Sequence, residues 1–146
     1  MSIFNAYMAL SGAYDADVTR DERLSHHTTY RIGGPAALFV KVNSYPALLK
    51  TIEILGREDV DWVVLGKGSN ILAADRGYDG CVIVLGREFS RISFDGSEVT
   101  AGAGATIARL VSETLSHSLS GLECLVGIPG TVGGAVSMDA EIGRAS

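Results

Sequence analysis

Two glycine-rich segments contain the residues of this sequence that are best suited to bind an anion. The first glycine loop is GKGSN, residues 66–70, and the second glycine loop is GIPGTVGG, residues 127–134. Glycine allows several backbone N–H groups to converge on one anion, because no side chain stands in the way, and proteins often bind phosphates like this. Two such loops could hold a diphosphate from two sides, with Lys67 as an additional positive charge.

The first loop matches neither of two standard nucleotide-binding motifs. A Walker A motif around the first loop would need glycine at position 61 and Ser or Thr at position 68, where the sequence has Asp61 and Gly68. A Rossmann motif in the same place would need a small residue where the sequence has Ile71. Taken alone, each loop is therefore most simply a tight turn, and Lys67 a solvated lysine.

The composition limits the class of protein. The chain has 146 residues, of which 18 are glycine, and a formal net charge of −5 at pH 7. Its lysines and arginines are scattered rather than clustered, which disfavours a nucleic-acid partner. It has no apolar run of about 18 residues, so we expect no membrane span. Its first residues lack the basic start of a signal peptide, and we expect a cytoplasmic protein.

The cysteines and histidines do not form a metal-binding pattern. Cys81 and Cys124 lie far apart in apolar segments, so we expect two buried thiols in a reducing compartment. A zinc site would need further ligands at short spacing, which His26, His27 and His117 do not supply. We therefore predict no metal site.

Periodicity predicts the elements that must position the first glycine loop. A β-rich run at 36–42 predicts a strand, and the segment that Ser44 can cap and Gly56 can end has helical spacing. Apolar runs at 62–66 and 81–86 predict two more strands, the first of them buried on both faces. Strand, helix, strand, loop and strand in this order indicate a small α/β lobe.

The remaining segments predict a second kind of structure. Residues 1–20 have weak periodicity and are expected to form a short helix or a partly mobile lead-in. After Gly86, alternating residues around Asp95–Gly96 predict a β-hairpin. A helix follows, capped by Thr106 and closed by Gly121. The second glycine loop then leads into a short helix.

Three motifs, taken together, resemble one protein family. They are HTTYRIGGPA (27–36), VLGKGSNIL (64–72) and GLECLVGIPGTVGGAVSM (121–138). In this order and spacing they are similar to the N-terminal FAD-binding part of the UDP-N-acetylenolpyruvoylglucosamine reductases, the MurB enzymes of bacterial peptidoglycan synthesis. The resemblance covers roughly residues 24–138.

The resemblance implies an α+β fold of the FAD-binding PCMH (vanillyl-alcohol-oxidase) type. In that fold a small α/β lobe packs against an antiparallel α+β lobe, and FAD lies extended between them. We expect an N-terminal lead-in at 1–22, the FAD-binding α/β lobe at 23–86 and the α+β lobe at 87–146. The family's C-terminal substrate-binding domain is absent from this sequence.

The resemblance also implies which residues hold the cofactor. The family binds the FAD pyrophosphate with the two glycine loops, so a side chain at Gly68 would occupy the place of the diphosphate. The first motif is expected near the flavin, although Arg31 could instead form a structural salt bridge. No His or Cys pattern for covalent attachment stands out, which implies non-covalent FAD. The implied cofactor-binding residues are Gly66, Lys67, Gly68, Ser69, Asn70, Ile128, Pro129, Gly130, Thr131, Gly133, Gly134, Tyr30 and Arg31.

The family's reaction uses NADPH and FAD to reduce UDP-GlcNAc-enolpyruvate to UDP-N-acetylmuramate. Its catalytic serine, arginine and glutamate follow the second glycine loop, in sequence that this chain does not contain. We therefore assign no catalytic residue here, not even Arg144 or Ser146, and expect this chain alone to be inactive. Its last residues, DAEIGRAS at 139–146, depart from the family's pattern. The surface left without the substrate-binding domain could support self-association.

Two alternatives stay open. One is another PCMH-type flavin oxidoreductase that acts on a different substrate. The other is a non-catalytic nucleotide-binding module that kept the glycine loops. Retention of FAD would separate a flavoprotein from that module.

Overall fold

The structure is a computed structural model, and it describes residues 2–12 and 14–138. The predicted departure at 139–146, with Arg144 and Ser146, lies outside the described residues. Short 3₁₀ turns lie at Leu24–His26, Arg87–Ser90 and Glu123–Leu125. The helices and strands are α1 (Ile3–Leu10), β1 (Ala16–Arg23), β2 (Pro35–Val42), α2 (Tyr45–Arg57), β3 (Trp62–Leu65), β4 (Tyr78–Leu85), β5 (Ile92–Asp95), β6 (Glu98–Ala101), α3 (Ile107–Ser116) and α4 (Val132–Met138).

A four-stranded sheet carries the first half of the chain. Its strand order is β1-β2-β4-β3, with β1 antiparallel to β2, while β2, β4 and β3 are parallel to one another. Helix α2 makes the crossover from β2 to β3. The predicted order of strand, helix, strand, loop and strand is therefore confirmed.

The predicted helix caps are formed. The Ser44 hydroxyl accepts a hydrogen bond from the N–H of Ala47 at 3.3 Å, at the start of α2. The Thr106 hydroxyl accepts one from the N–H of Arg109 at 3.2 Å, at the start of α3. Each cap supplies an acceptor for one of the N–H groups that a helix start leaves without a partner.

The N-terminal segment is more ordered than a mobile lead-in. Helix α1 packs against α2 and buries Ala6 and Leu10 completely. Strand β1 pairs with β2 along its length, although the sequence did not predict a strand there, because ADVTRDER is mostly charged. The lead-in expected at 1–22 thus contains a helix and most of a strand that pack on the α/β lobe.

Apolar clusters cover both faces of the sheet. The larger cluster joins α1 and α2 to residues of β2 and β4 such as Leu38, Val40 and Ile83. The smaller cluster lies on the opposite face, because its members alternate with those of the first along the strands. It contains Leu24, Ala36, Phe39, Leu65 and Val82.

The prediction that β3 is buried on both faces is wrong. Trp62, Val63 and Val64 are 42%, 46% and 46% exposed. The reason is the strand order, which places β3 at the edge of the sheet with β4 as its one neighbour. An apolar run can therefore form an edge strand as well as a central one.

The second half of the described chain has the predicted hairpin and helices. Strands β5 and β6 pair antiparallel around a turn in which Gly96 has a φ of 61°. Helix α3 stops at Ser116, before the predicted end at Gly121, and Ser118 just beyond it has a left-handed φ of 57°. The second glycine loop leads into α4, as predicted.

The two sheets and their helices confirm the predicted α+β fold class. None of the helices within 2–12 and 14–138 is long and apolar enough to cross a membrane.

Candidate functional site

The two glycine loops lie in direct contact. A Cβ atom placed on Gly66 would lie 2.7 Å from the hydroxyl oxygen of Thr131. A Cβ atom on Gly130 would lie 3.0 Å from the hydroxyl oxygen of Ser69. The structure therefore brings together the two segments that the sequence singled out.

The first loop also lies against the first motif. The N–H of Thr29 donates to the carbonyl of Gly68 at 3.0 Å. Gly68 has a φ of 70°, and a Cβ atom there would overlap the carbonyl oxygen of His27. Gly68 is thus required by contact with the chain itself, and the expectation that a side chain would instead fill the diphosphate's place needs correction.

The backbone donors of the first loop are unoccupied. None of the hydrogen bonds found among the described residues is donated by an amide of residues 66–70. Gly66, Lys67 and Asn70 are exposed, and Ser69 is half-buried. The loop therefore presents several N–H groups that have no partner in the part of the chain that the structure describes.

The second loop uses most of its donors to anchor itself to neighbouring segments of the chain. The N–H groups of Val132 and Gly133 donate to the carbonyls of Ala105 and Ala103, both at 2.8 Å. Ile128 donates to Leu125 at 3.1 Å, and Gly134 donates to the Thr131 hydroxyl at 3.2 Å. Pro129 has no N–H.

Three donors of the second loop remain available. The amides of Gly127, Gly130 and Thr131 donate no hydrogen bond to any described residue. The carbonyl of Gly130 is held by the N–H of Ile107 at 3.0 Å, and Thr131 forms a bridge with Thr106. These contacts fix the positions of Gly130 and Thr131 beside the first loop. Amides without a partner among the described residues therefore lie on both of the contacting loops.

Gly133 has a packing role. A Cβ atom there would lie 2.9 Å from the Cβ of Ala103, so glycine allows α4 to approach the segment after β6. A Cβ atom on Gly134 would lie 3.3 Å from the hydroxyl oxygen of Thr131. Both glycines shape the second loop.

Tyr30 and Arg31 lie on an exposed turn next to the first loop. The N–H of Arg31 donates to the carbonyl of Thr28 at 3.1 Å, and the Thr28 hydroxyl donates to the carbonyl of Ile32 at 3.1 Å. Arg31 has a left-handed φ of 54°, which is strained for a non-glycine residue. The structure contains no ion pair between Arg31 and another described residue, so the salt-bridge alternative is not formed there.

The sequence analysis missed the support beneath the first motif. The imidazole Nε2 of His27 lies 3.0 Å from a carboxylate oxygen of Glu22, and its ring stacks on Phe39 with centroids 4.3 Å apart. Glu22 belongs to β1, which was not predicted, so no sequence pattern indicated this contact. The pair holds the segment whose backbone touches Gly68.

The cysteines differ from the expectation of two buried thiols. Cys81 is buried in β4, and burial raises the pKa of its thiol to about 12. Cys124 is exposed in the turn before the second loop. Within the described ranges, no cluster of three His, Cys, Asp or Glu residues could hold a metal ion.

Comparisons with known proteins identify the family of the chain. A family model described as an FAD binding domain matches residues 36–143. UDP-N-acetylenolpyruvoylglucosamine reductase of Anoxybacillus flavithermus is 46% identical over 123 residues, which are 84% of this chain and 41% of that protein. The Bacillus subtilis reductase is 43% identical over the same shares, and the Alkaliphilus oremlandii reductase is 36% identical over 96% of this chain and 46% of its own length.

A solved structure shows the same fold. The crystal structure of UDP-N-acetylenolpyruvylglucosamine reductase (MurB) from Thermus caldophilus superimposes with a TM-score of 0.68 and 38% sequence identity, covering 83% of this chain and 41% of that one. This chain thus spans less than half the length of the relatives it matches. It belongs to the family of FAD-binding domains, in the form found in the FAD-binding part of the UDP-N-acetylenolpyruvoylglucosamine reductases.

Proposed function

We propose that the chain binds FAD non-covalently, with the pyrophosphate between the two glycine loops. The observation that carries this proposal is that two loops in contact both keep amides without a partner among the described residues. Residues 66–70 supply them from one side, and Gly130 and Thr131 supply them from the other. Such a convergence of N–H groups suits an anion, and the site fits the cofactor that the family name indicates.

The side chains around these amides have complementary roles. The hydroxyl of Ser69 lies where the two loops touch and can donate to a phosphate oxygen. Asn70 supplies an amide group, and Lys67 supplies a positive charge. The Thr131 hydroxyl accepts the Gly134 N–H and still has a proton to donate.

The other predicted residues shape the pocket. Ile128, Pro129, Gly133 and Gly134 set the path of the second loop. We propose that Tyr30 and Arg31 lie toward the flavin, since their turn is anchored on the first loop through Thr29. This assignment rests on neighbourhood, because no contact joins either side chain to a glycine loop.

The acidity of the chain does not oppose binding of an anionic cofactor. FAD carries about two negative charges on its pyrophosphate, and oriented backbone amides can stabilise them without many basic side chains. The net charge of −5 is spread over the whole chain, whereas the amides act at hydrogen-bond distance.

For the longer protein we propose the reaction named by the relatives. It reduces UDP-GlcNAc-enolpyruvate to UDP-N-acetylmuramate in the cytoplasm, with NADPH as the hydride donor. Bound flavin supplies the centre that accepts a hydride and passes it on. The described residues of this chain bind and orient the cofactor, and the chain alone is expected to be inactive.

The lobes and their surfaces are also proposals. The first sheet ends at Leu85 and the hairpin begins at Ile92, which supports a division near Gly86 between lobes at 23–86 and 87–146. Val126 and Val136 are 65% and 76% exposed. We propose that this apolar surface supports self-association of the chain.

The test of cofactor binding is the visible spectrum of the chain after FAD is added and free flavin is removed by gel filtration. We expect a flavin band that stays with the protein. Gly66→Val should remove it, because the new side chain meets the Thr131 hydroxyl. Gly56→Ala is the matched control, since a Cβ there meets nothing within 4 Å. The proposal would be contradicted by a wild-type chain that is colourless after gel filtration, or by a Gly66→Val variant that retains as much FAD as the wild type.

A further inference from the structure

Strand β1 changes the face of its side chains just before Glu22. Side chains alternate along a strand, so Arg20 and Glu22 would normally share one face of the sheet. The guanidinium carbon of Arg20 lies 5.4 Å from the ring centroid of Tyr7, on the face of the larger apolar cluster. Glu22 contacts His27, whose ring stacks on Phe39 of the smaller cluster. Arg20 and Glu22 therefore lie on opposite faces.

The residue between them, Asp21, accounts for this change of face. Asp21 has a left-handed φ of 54° in the middle of β1. The ladder between β1 and β2 pairs the residues on either side of it, Arg20 and Glu22, but not Asp21 itself. A non-glycine residue in this conformation is strained, and the strain persists where the surrounding structure imposes it. The distortion of β1 thus lies at the point that brings the Glu22 carboxylate to the first motif.

Two strands hold the imidazole of His27. Its Nε2 lies 3.0 Å from a carboxylate oxygen of Glu22 in β1, and its ring stacks on Phe39 in β2. The same carboxylate oxygen lies 3.8 Å from Nδ1 of His26, whose side chain is 66% exposed. His27 is therefore the closer partner of this carboxylate.

The backbone of residues 27–29 carries this placement to the first glycine loop. A Cβ atom on Gly68 would overlap the His27 carbonyl oxygen, so the two backbones are in contact. The N–H of Thr29 donates to the carbonyl of Gly68 at 3.0 Å, and no other hydrogen bond found among the described residues reaches residues 66–70. Because the amides of the loop hold no described part of the chain, the shape of the loop depends on this contact.

We propose that Glu22 and His27 are positioning residues for the first glycine loop. The carboxylate fixes the imidazole, and the backbone beside that imidazole fixes Gly68 and the amides around it. Neither side chain has to touch the cofactor for this role. The expected effect on FAD affinity rests on the proposed function, whereas the expected effect on the loop itself does not.

The first test measures amide hydrogen exchange of Thr29 by NMR in the chain without FAD. Glu22→Ala should speed this exchange about tenfold, because the contact with Gly68 loosens. Asp17→Ala is the control, since it removes an exposed carboxylate from the same strand and should leave the rate unchanged. Exchange at Ile83, which is fully buried in β4, reports global unfolding and separates a local effect from a general loss of stability.

The second test is the FAD dissociation constant of the folded chain, from a fluorescence titration. Glu22→Ala and His27→Phe should each raise it about tenfold, and the double variant no further, because the two side chains act as one unit. Phenylalanine keeps a ring to stack on Phe39 but has no Nε2. Glu22→Gln should restore the constant to within about twofold, since its amide oxygen can still accept the Nε2–H. His26→Ala should leave it unchanged.

The strain at Asp21 provides a matched pair of variants. Asp21→Asn keeps a residue type that tolerates a left-handed φ, and its FAD dissociation constant should stay within about twofold of the wild-type value. Asp21→Val introduces a β-branched residue that disfavours this conformation, and it should raise the constant about as much as Glu22→Ala does.

Three results would overturn the proposal. The first is Thr29 exchange that is unchanged in Glu22→Ala. The second is a wild-type chain that binds FAD while Glu22→Ala and His27→Phe bind it equally well. The third is a double variant whose loss of affinity is the sum of the two single losses. If the wild-type chain retains no FAD, the proposed function fails, and the exchange rate of Thr29 alone decides whether the pair positions the loop.

Discussion

The two glycine loops touch each other, yet they use their backbones differently. In the first loop, the amides of residues 66–70 donate to no described residue. In the second loop, most amides already donate hydrogen bonds, and Gly127, Gly130 and Thr131 keep an N–H without a partner among the described residues. The first loop therefore keeps its donors, whereas the second uses most of its donors to anchor itself to neighbouring segments.

This difference teaches what glycine does in each loop. Gly68 and Gly133 are required because another part of the chain comes close, at His27 and Ala103. Gly66 and Gly130 instead lie where the loops meet. A glycine-rich sequence therefore combines residues needed for the fold with residues that leave space for a ligand.

The largest expected effect comes from Gly68→Ala in the first loop. The new Cβ would overlap the His27 carbonyl, and alanine is strained at a φ of 70°. We expect the free energy of unfolding to fall by about 3 kcal/mol, with loss of FAD binding. Urea denaturation measures the change.

Gly96→Ala is the control for that substitution. Gly96 has a similar φ of 61°, but a Cβ there meets nothing within 4 Å. It should cost only about 1 kcal/mol. Equal losses in the two variants would show that the contact with His27 contributes nothing.

In the second loop, Gly133→Ala should lower the free energy of unfolding by about 2 kcal/mol, because its Cβ would press on Ala103. Gly134→Ala, one residue later in the same helix, should change it by less than about 0.5 kcal/mol, since helix propensity offsets a mild contact. Thermal melts of both variants decide this. A larger loss in Gly134→Ala would reverse the assignment of the two glycines.

The sheet that carries the first loop should weaken at high pH. Burial raises the pKa of Cys81 from 9.0 to about 12, so the folded thiol stays protonated while the unfolded thiol ionises. The stability contributed by this group is complete below pH 9 and is lost as the pH rises toward 12. Between pH 8 and 10 the free energy of unfolding should fall by on the order of 1 kcal/mol. Urea titrations of Cys81→Ala should lack this decline, and an unchanged decline would refute the cause.

The smallest effects compare one hydroxyl from each loop. Thr131→Val removes the acceptor for the Gly134 N–H and should cost about 1 kcal/mol of stability. Ser69→Ala should leave stability within about 0.5 kcal/mol, because no hydrogen bond from its hydroxyl to another described residue is formed. Both should weaken FAD binding about threefold to tenfold in a fluorescence titration. If Ser69→Ala lost as much stability as Thr131→Val, the two hydroxyls would not differ in their contribution to folding, which contradicts the prediction.

The sequence predicted correctly those helices and turns that are fixed by residues close together in the chain. Ser44 and Thr106 cap the helices they were expected to cap, and Gly96 lies in the expected turn. Strand β1 was missed, because its charged sequence becomes a strand only by pairing with β2. The exposure of β3 was also missed, since strand order decides which apolar run lies at an edge.

The candidate site was predictable as a set of motifs but not as a set of contacts. The two loops were identified from their glycines and from the family resemblance. The reason why position 68 requires glycine could not be predicted, because His27 approaches it from a distant part of the sequence. The Glu22–His27 contact depends in turn on the unpredicted strand β1.

The bridge between Thr106 and Thr131 has a consequence for the time at which the site forms during synthesis. The first loop leaves the ribosome early, with its sheet, but its counterpart follows only after the hairpin and α3. Closing so long a segment has an entropic cost that local structure in between reduces. During synthesis the four-stranded sheet is therefore complete before the second glycine loop can join the first, and the proposed binding of FAD would follow only after α3 and the second glycine loop have formed.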